Sequence, residues 1–518
     1  MQRTLVMDHT IAIVGGGFSG TLTAVHLLRG EWPDGLHVVL VNRSGPLARG
    51  VAYGTRSAAH VLNVPAARMS AFPGDEEHFL RFAREADPAV TGGDFVPRSL
   101  YGEYLERVLH DAVAAAPAGT RFTHRVARAV DVRVVPGGGV ELMLKGDEGP
   151  PVLAADRVVL AAGSFSPADP AVPDAAFFAG DARYVRDPWA PGALDGVDRG
   201  RPVFLVGTGL TMLDVALDLH GRGLQAPMLA LSRRGLVPRA HRSPASPPHP
   251  VSPGASLLAG PATARRYLRE VRRTVAAHPE VDWRDVLASI RPVTPALWAA
   301  LPLAERARFL RHLQPYWDVH RHRAAPSIIS AFTRLVRDGG IRHHAGRLLR
   351  IEPGADGVTV HFRQRGARAA EAVRVGSVIN CTGPSSDVAA LGEPLLDSLL
   401  RQGLLTPCPQ RLGIRTGPGY ALLDREGGAS ETFFHVGPLL KADLWESTAV
   451  PELRVHAARL AEHLRGAAVP TESAASVRRP AFVDRPNHRH PAIDAEDVHG
   501  DSARLVTSPG SGTPGPGA

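Results

Sequence analysis

Residues 10–20, TIAIVGGGFSG, constrain this chain more than any other stretch. Ile11, Ile13 and Val14 form a short β-branched run that reads as a buried parallel strand. Glycines follow at Gly15-x-Gly17-x-x-Gly20, and an apolar helical pattern then runs from Leu22 to Leu28. Gly15 lets the chain turn sharply off the strand, and Gly17 leaves room for a pyrophosphate. Gly20 lets the helix lie close to the strand, aiming its free N–H groups at the phosphates. With Gly16, Phe18 and Ser19 between them, these glycines predict a strand–turn–helix that binds a dinucleotide.

The same logic recurs near residue 203. Val203 to Val206 read as strand, Gly207-Thr208-Gly209 as turn, and about Thr211 to His220 as helix. Met212 stands where the third glycine would be. About twenty residues on, a strand ends at Ser232 and presents Arg233 and Arg234. An NAD site carries an acidic side chain in that region. Arginine instead suits the 2′-phosphate of NADP, because a guanidinium grips phosphate with two hydrogen bonds; NAD remains the alternative. Two nucleotide folds in one chain predict a flavin and a nicotinamide placed for hydride transfer.

Between them, LHVVLV at 36–41 reads as the second strand of the first fold. Its end carries Asn42 and Arg43 where the common fingerprint has an acidic residue for the ribose. Two turn-rich stretches follow, ARGVAYGT (48–55) and HVLNVPAARMSAF (60–72). In this order, a glycine-rich turn, an R-G-x-A-Y-G segment and an N-V-P-x-x-x-M segment resemble an FAD/NAD(P)-binding family. That family contains flavin-dependent urate hydroxylases and nitrosuccinate-forming aspartate N-monooxygenases. The resemblance spans most of residues 10–465. It implies that Arg49, Gly50, Tyr53, Asn63, Val64 and Met69 belong to a flavin pocket. It also implies that the chain leaves the FAD domain at Ala161-Ala162-Gly163. The return comes at Asn380-Cys381-Thr382-Gly383, and the closing strand ends at His435-x-Gly437-Pro438. The Gly-Asp pair usual before the last helix is absent in its common form.

The expected fold is α/β, with two Rossmann-like dinucleotide-binding domains in three layers, mostly parallel sheets and a small helical insertion. Residues 1–168 form the first part of the FAD domain and 169–340 the NAD(P) domain, with the insertion at about 255–326. Residues 341–465 form the second part of the FAD domain, and 466–518 a Pro-, Gly- and Ser-rich tail expected to be disordered. A stretch at 237–262 reads as a long loop. The insertion ends in Trp317-Asp318-Val319-His320-Arg321-His322-Arg323, which also recurs in the resembled family. Arg321 and Arg323 there are candidate contacts to an anionic substrate; the other reading is that they lock the insertion by ion pairs. Trp445 and Glu446 lie on a loop before the last helix and are candidates to line the same pocket.

Composition narrows the function. The net charge of +8 permits anionic ligands, but no basic run is interleaved with aromatics, which argues against nucleic acid. Two cysteines and no C-x-x-C exclude a dithiol redox centre or a cysteine zinc site. No metal is expected. No apolar run approaches the roughly 18 residues of a membrane span. The first strand begins too early for a signal peptide to precede it, so a cytoplasmic protein is expected. The two nucleotide folds point to an FAD- and NADPH-dependent oxidoreductase, and the resemblance implies a monooxygenase that hydroxylates a small anionic metabolite with molecular oxygen, at nitrogen or an electron-rich carbon. The alternatives are a flavin reductase or dehydrogenase without oxygen insertion, and a non-catalytic FAD-binding redox sensor. No catalytic side chain is assigned, because the cofactor carries the difficult step.

Overall fold

The computed structural model describes residues 9–466 apart from 147–148, 164, 174 and 243–248. The tail beyond 466 and the centre of the 237–262 loop thus lie outside the described residues. Two large sheets organise the chain, and each grows outward from one of the two glycine turns.

The first sheet has strand order β15-β16-β7-β1-β2-β3. Strands β1 (His9–Val14), β2 (Leu36–Val41), β3 (Thr120–Arg125), β7 (Arg157–Leu160) and β16 (Ala429–His435) are mutually parallel, and β15 (Ala421–Leu423) joins antiparallel at the edge. Alternate residues sort to opposite faces, as the pleat requires. Ile11, Ile13, Val38 and Leu40 pack under helices α1 (Phe18–Leu28), α2 (Arg98–Ala114) and a long C-terminal helix, Val450–Gly466. Ala12, Val39, Val41 and Leu160 face the other way. They meet a small antiparallel sheet, β4 (Arg128–Val134), β5 (Val140–Lys145) and β6 (Val152–Ala155), together with the helix Pro394–Gln402.

The second sheet has order β13-β12-β11-β10-β9-β14-β8. Its parallel part comprises β8 (Tyr184–Val185), β9 (Val203–Val206), β10 (Met228–Ser232), β14 (Ser377–Asn380) and the start of β11 (Ile341–Gly354). β12 (Gly357–Gln364) and β13 (Glu371–Val375) extend it antiparallel. Helices α3 (Leu210–Gly221) and, after α4 (Gln314–Arg321), α5 (Pro326–Arg337) cover one face around Val203, Leu205, Ala230 and Ile379. Phe204, Val206, Leu231 and Val378 fill the other. The central order β11-β10-β9-β14-β8 repeats β3-β2-β1-β7-β16, so the chain is a doubly wound α/β protein twice over. With α6 (Pro394–Gln402) and α7 (Val450–Gly466), the helices named here are numbered in chain order.

One expected boundary moves. Strands from residue 341 onward were placed with the first sheet, yet β11 to β14 all pair in the second. The chain returns only after Asn380, at the crossover read from Asn380 to Gly383. Periodicity identifies strands but not their partners, and register is set by pairing across the sheet. The insertion is helical as expected, with short helices between Gly254 and Arg321. Among the described residues no helix is long and apolar enough to cross a membrane, and no group of three potential metal ligands occurs.

A Cβ at Gly20 would lie 1.9 Å from the Gly15 carbonyl oxygen, whereas one at Gly209 meets nothing within 4 Å. Gly20→Ala is therefore expected to destabilise the protein by about 2 kcal/mol or more. Gly209→Ala should cost only a small fraction of that. Urea unfolding of the two variants checks the contrast.

Candidate cofactor and substrate site

The first turn is built by a close crossing. Gly15 has φ 119°, and a Cβ there would lie 2.4 Å from the carbonyl oxygen of Ala161, just past β7. Gly17 precedes α1 with no side-chain cap, leaving the first-turn N–H groups free for an anion. Phe18 and Ser19 are buried in that turn. A Cβ at Gly437, which has φ 129°, would stand 3.5 Å from both Ser19 Oγ and the Ala162 carbonyl oxygen. The end of β16 thus reaches the same crevice. Gly163 is exposed beside it.

Residues 42–53 fold over this turn. The Asn42 amide donates to the Pro46 carbonyl oxygen at 2.7 Å, so it closes the loop after β2. A Cβ at Gly16 would lie 2.9 Å from Asn42 Cβ, and the Ala48 N–H donates to the Gly16 carbonyl at 2.8 Å. Gly50, with φ 52°, approaches Gly17: a Cβ there would be 3.2 Å from the Gly17 Cα. Arg49 makes a bidentate pair with Glu106 on α2, at 2.6 and 2.8 Å. Arg43 faces outward to Glu393 at 3.5 Å. Tyr53 packs its edge on Tyr101, ring centroids 4.7 Å apart. Val64 packs against the first core and Met69 lies within it, 2% exposed. The Asn63 carbonyl accepts from His241 Nε2 at 3.0 Å, tying this loop to the segment after β10.

The second turn repeats the crossing. Gly207 has φ 114°, and a Cβ there would lie 2.6 Å from the Cys381 carbonyl oxygen. Cys381 itself is buried, which pushes its thiol far up and leaves it no nucleophile. Gly209 precedes α3 without a side-chain cap. Gly383, with φ 89°, borders open space. Thr208 Oγ1 and Ser232 Oγ are 2.7 Å apart, and Ser232 Oγ also accepts from the Gly235 N–H at 2.9 Å. The two arginines beyond it differ. Arg234 donates to the Arg311 carbonyl at 2.7 Å and lies over the Tyr316 ring at 5.4 Å. Arg233 is exposed and has no partner among the described residues.

The arginines of the insertion sort the same way. Arg321 holds Glu446 bidentately at 3.1 and 2.8 Å, with side chains 11% and 3% exposed. Burial raises the Glu446 carboxyl and Arg321 opposes that rise. Arg321 and Glu446 therefore lock the insertion to the last loop, rather than standing free for a substrate. Arg291 pairs with Glu452, Arg242 with Asp285 at 2.8 and 2.9 Å, and Arg284 with Asp282 at 3.2 Å. Arg323 and Arg68 have no partner among the described residues. Arg323 Nε is buried with nothing to donate to, and its guanidinium is lowered to about 10 by burial, then by Arg321 and Arg284. Arg68 is lowered by burial, then by Arg291 and Arg321. Both stay charged at neutral pH. Nearby, burial, then Arg321 and Lys441, lower His322 to about 3, so it is neutral. Trp445, at φ 61°, packs on Trp298 with centroids 4.7 Å apart and on Phe309 at 5.0 Å, with Lys441 Nζ 4.5 Å over its ring. It is 6% exposed and serves as a packing residue of the insertion's base.

Sequence reasoning missed Arg68. The available signal is an arginine with no acidic residue within four positions either side, a property Arg323 shares. Arg291 has it too and is nevertheless paired, by Glu452, 161 residues away.

The sequence model of a family described as FAD-NAD(P)-binding matches residues 12–165. No curated protein matches the chain. Among solved structures, L-lysine 6-monooxygenase from Pseudomonas syringae aligns over 89% of this chain and 100% of its own, with TM-score 0.62 and 16% identity. The cadaverine monooxygenase of desferrioxamine biosynthesis from Erwinia amylovora, solved with FAD, aligns over 92% and 100%, with TM-score 0.60 and 13% identity. Ornithine N-hydroxylase from Kutzneria sp. 744, solved with reduced FAD, NADP+ and L-ornithine, aligns over 89% and 99%, with TM-score 0.59 and 14% identity. At these identities the likeness establishes the fold.

Arg321→Ala strands a buried carboxylate and is expected to cost about 3–5 kcal/mol. Arg323→Ala breaks no pair and should leave stability nearly unchanged. Denaturant midpoints of the two variants decide whether the charges are divided in this way.

Proposed function

We propose that this chain is an FAD- and NADPH-dependent flavoprotein monooxygenase that hydroxylates a small anionic metabolite at nitrogen, using molecular oxygen. The observation that carries the reading is the duplicated crossing, Gly15 under Ala161 and Gly207 under Cys381, each opening onto an uncapped helix N-terminus at the carboxyl ends of a parallel sheet. FAD would lie at the first turn, its pyrophosphate on α1 and its flavin towards the 49–69 loops and Gly437. NADPH would lie at the second, with Arg233 free for the 2′-phosphate. Bound flavin supplies the hydride acceptor and the oxygen chemistry.

The side chains bind, orient and exclude water. The insertion, anchored through Arg321–Glu446 and Arg291–Glu452, would cover the bound cofactors and keep them dry. The start of α7 would offer its positive end to the anionic part of the reduced flavin. Arg68 and Arg323 would receive the substrate's acidic groups, one from the loop beside Met69 and one from the end of the insertion. The aligned proteins hydroxylate ornithine, lysine and cadaverine, which favours nitrogen over carbon. Their substrates carry terminal amines, whereas this chain keeps Arg68 and Arg323 without an ion pair among the described residues, which favours an acid.

The test is direct. The purified protein should be yellow, bleach when NADPH is added without air, and recover its colour when air is admitted. With a small amino acid bearing a second acidic group, NADPH consumption should match hydroxylated product. A protein that is colourless and takes up no FAD defeats the reading, and NADPH oxidation that yields only hydrogen peroxide with every acid tried reduces it to a flavin oxidase. Arg68→Ala and Arg323→Ala should each raise the KM for substrate roughly tenfold or more, one charge-assisted contact being lost.

Coenzyme choice has its own measurement. Arg233→Ala should raise the NADPH requirement roughly tenfold while leaving the NADH requirement unchanged. Arg234→Ala, whose guanidinium is already engaged with Arg311 and Tyr316, should have the smaller effect on that ratio.

A further inference from the structure

Helix α3, which opens from the second glycine turn, carries two aspartates four residues apart, Asp214 and Asp218. They are 6% and 7% exposed, on a helix that also buries Met212, Leu213, Val215, Ala216 and Leu219 in the second core. Two carboxylates at this spacing repel each other and lose hydration on burial. Arg222, one turn on, meets Asp218 at 2.8 Å, but no residue of α3 meets Asp214.

The remaining partners come from the other nucleotide fold. Arg98, the first residue of α2, donates to Asp214 Oδ2 at 2.8 Å, with side chains 14% and 8% exposed. Its Nε donates to the Val61 carbonyl at 2.9 Å, and its guanidinium lies 5.6 Å over the Trp189 ring. Ser57 Oγ donates to Asp218 Oδ1 at 2.7 Å. His60 belongs to the same joint: Nδ1 shares a 2.6 Å hydrogen bond with Thr55 Oγ1, and its ring packs edge-on against Trp189 at 5.3 Å. The Arg98 N–H donates to the His60 carbonyl at 2.9 Å. Residues 55–63 and the start of α2 are thus fastened to α3 by one largely buried ion pair and one part-buried hydrogen bond. The same loop continues into Asn63 and Val64 of the proposed flavin pocket.

We infer that Arg98, through Asp214, is a positioning residue for reduction of the flavin. The joint sets the separation across which a hydride, two electrons and one proton, passes from dihydronicotinamide to isoalloxazine, leaving NADP+ and reduced flavin. The inference rests on the cofactor pairing proposed above. Arg98 need touch neither cofactor. It holds the helix that carries the dinucleotide against the loop that flanks the flavin, and small displacements of that kind cost rate steeply.

The test uses the holoenzyme and compares Arg98→Met, Arg98→Lys, Asp214→Asn, the Arg98→Met/Asp214→Asn double variant and Ser57→Ala. Four quantities are read: FAD absorbance, the limiting rate of anaerobic bleaching at saturating NADPH, the NADPH concentration for half that rate, and the rate of reoxidation by air after reduction with dithionite. Arg98→Met and Asp214→Asn should each lower the limiting rate roughly tenfold or more, with FAD retained. The half-saturating concentration should change by less than about threefold, and reoxidation should be unaltered. The double variant should be no slower than the slower single one, since both remove the same contact. Lysine at 98 should restore part of the rate. Ser57→Ala, which removes one neutral hydrogen bond, should slow bleaching roughly twofold to threefold. Variants that bleach at the wild-type rate overturn the inference. So does loss of FAD in proportion to rate, with the remaining holoenzyme fully active. Should the charge variants fail to fold, a wild-type rate in Ser57→Ala overturns it as well. A wild-type protein that NADPH cannot bleach overturns the parent reading and this role together.

Discussion

A carbonyl oxygen beneath a glycine governs this structure. At Gly15 the oxygen belongs to Ala161, and at Gly207 it belongs to Cys381. In both cases the strand leading to that carbonyl lies directly beside the strand leading to the glycine, β7 beside β1 and β14 beside β9. A side chain at either glycine would push the neighbours apart and leave the helix nowhere to begin. With the glycine in place, the helix starts in the crevice where the strand order reverses, which is where open parallel sheets bind ligands. The positive φ at both positions is the backbone's part of the arrangement.

The second organising constraint is electrostatic. The chain is rich in arginine, and where the insertion meets the first nucleotide fold nearly every guanidinium has a carboxylate of its own. Arg321, Arg291, Arg242 and Arg284 are assigned to Glu446, Glu452, Asp285 and Asp282. Buried pairs of this kind contribute little net stability, because desolvation offsets attraction, yet losing one partner is costly. They therefore act as latches that resist being opened. Arg68 and Arg323 stand apart because no carboxylate among the described residues pairs with either, although Asp285 and Asp282 lie near enough to act on them through space.

Much of the architecture was legible in the residues. Both strand–turn–helix units follow from apolar period and glycine spacing. The crossover at Asn380–Gly383 was implied by the family resemblance. What failed was assignment by neighbourhood. Residues near 341–362 read as strand, but their place in the second sheet depends on β10 offering a free edge, which no local pattern reports. Trp445 and Glu446 looked like pocket lining because they sit on a loop near a functional helix; Trp298, Phe309 and Arg321 had already claimed them. Arg321 and Arg323, two residues apart, are opposite in the fold: Arg321 holds Glu446, whereas Arg323 has no ion pair among the described residues. Asp214 and Asp218 carried a legible anomaly, two acids on a helix that is otherwise buried, whose explanation lies more than 110 residues upstream in Arg98 and Ser57.

By itself the sequence determined that two nucleotide-type folds would form and where each would start. That information is local: a β-branched run, a turn that only glycine makes, and a helical period, all within about twenty residues. The tertiary structure alone decided which charges are spent on holding the protein together and which are left without an ion pair among the described residues. Ion pairing depends on distances between residues far apart in the chain, and those distances exist only once both sheets have closed.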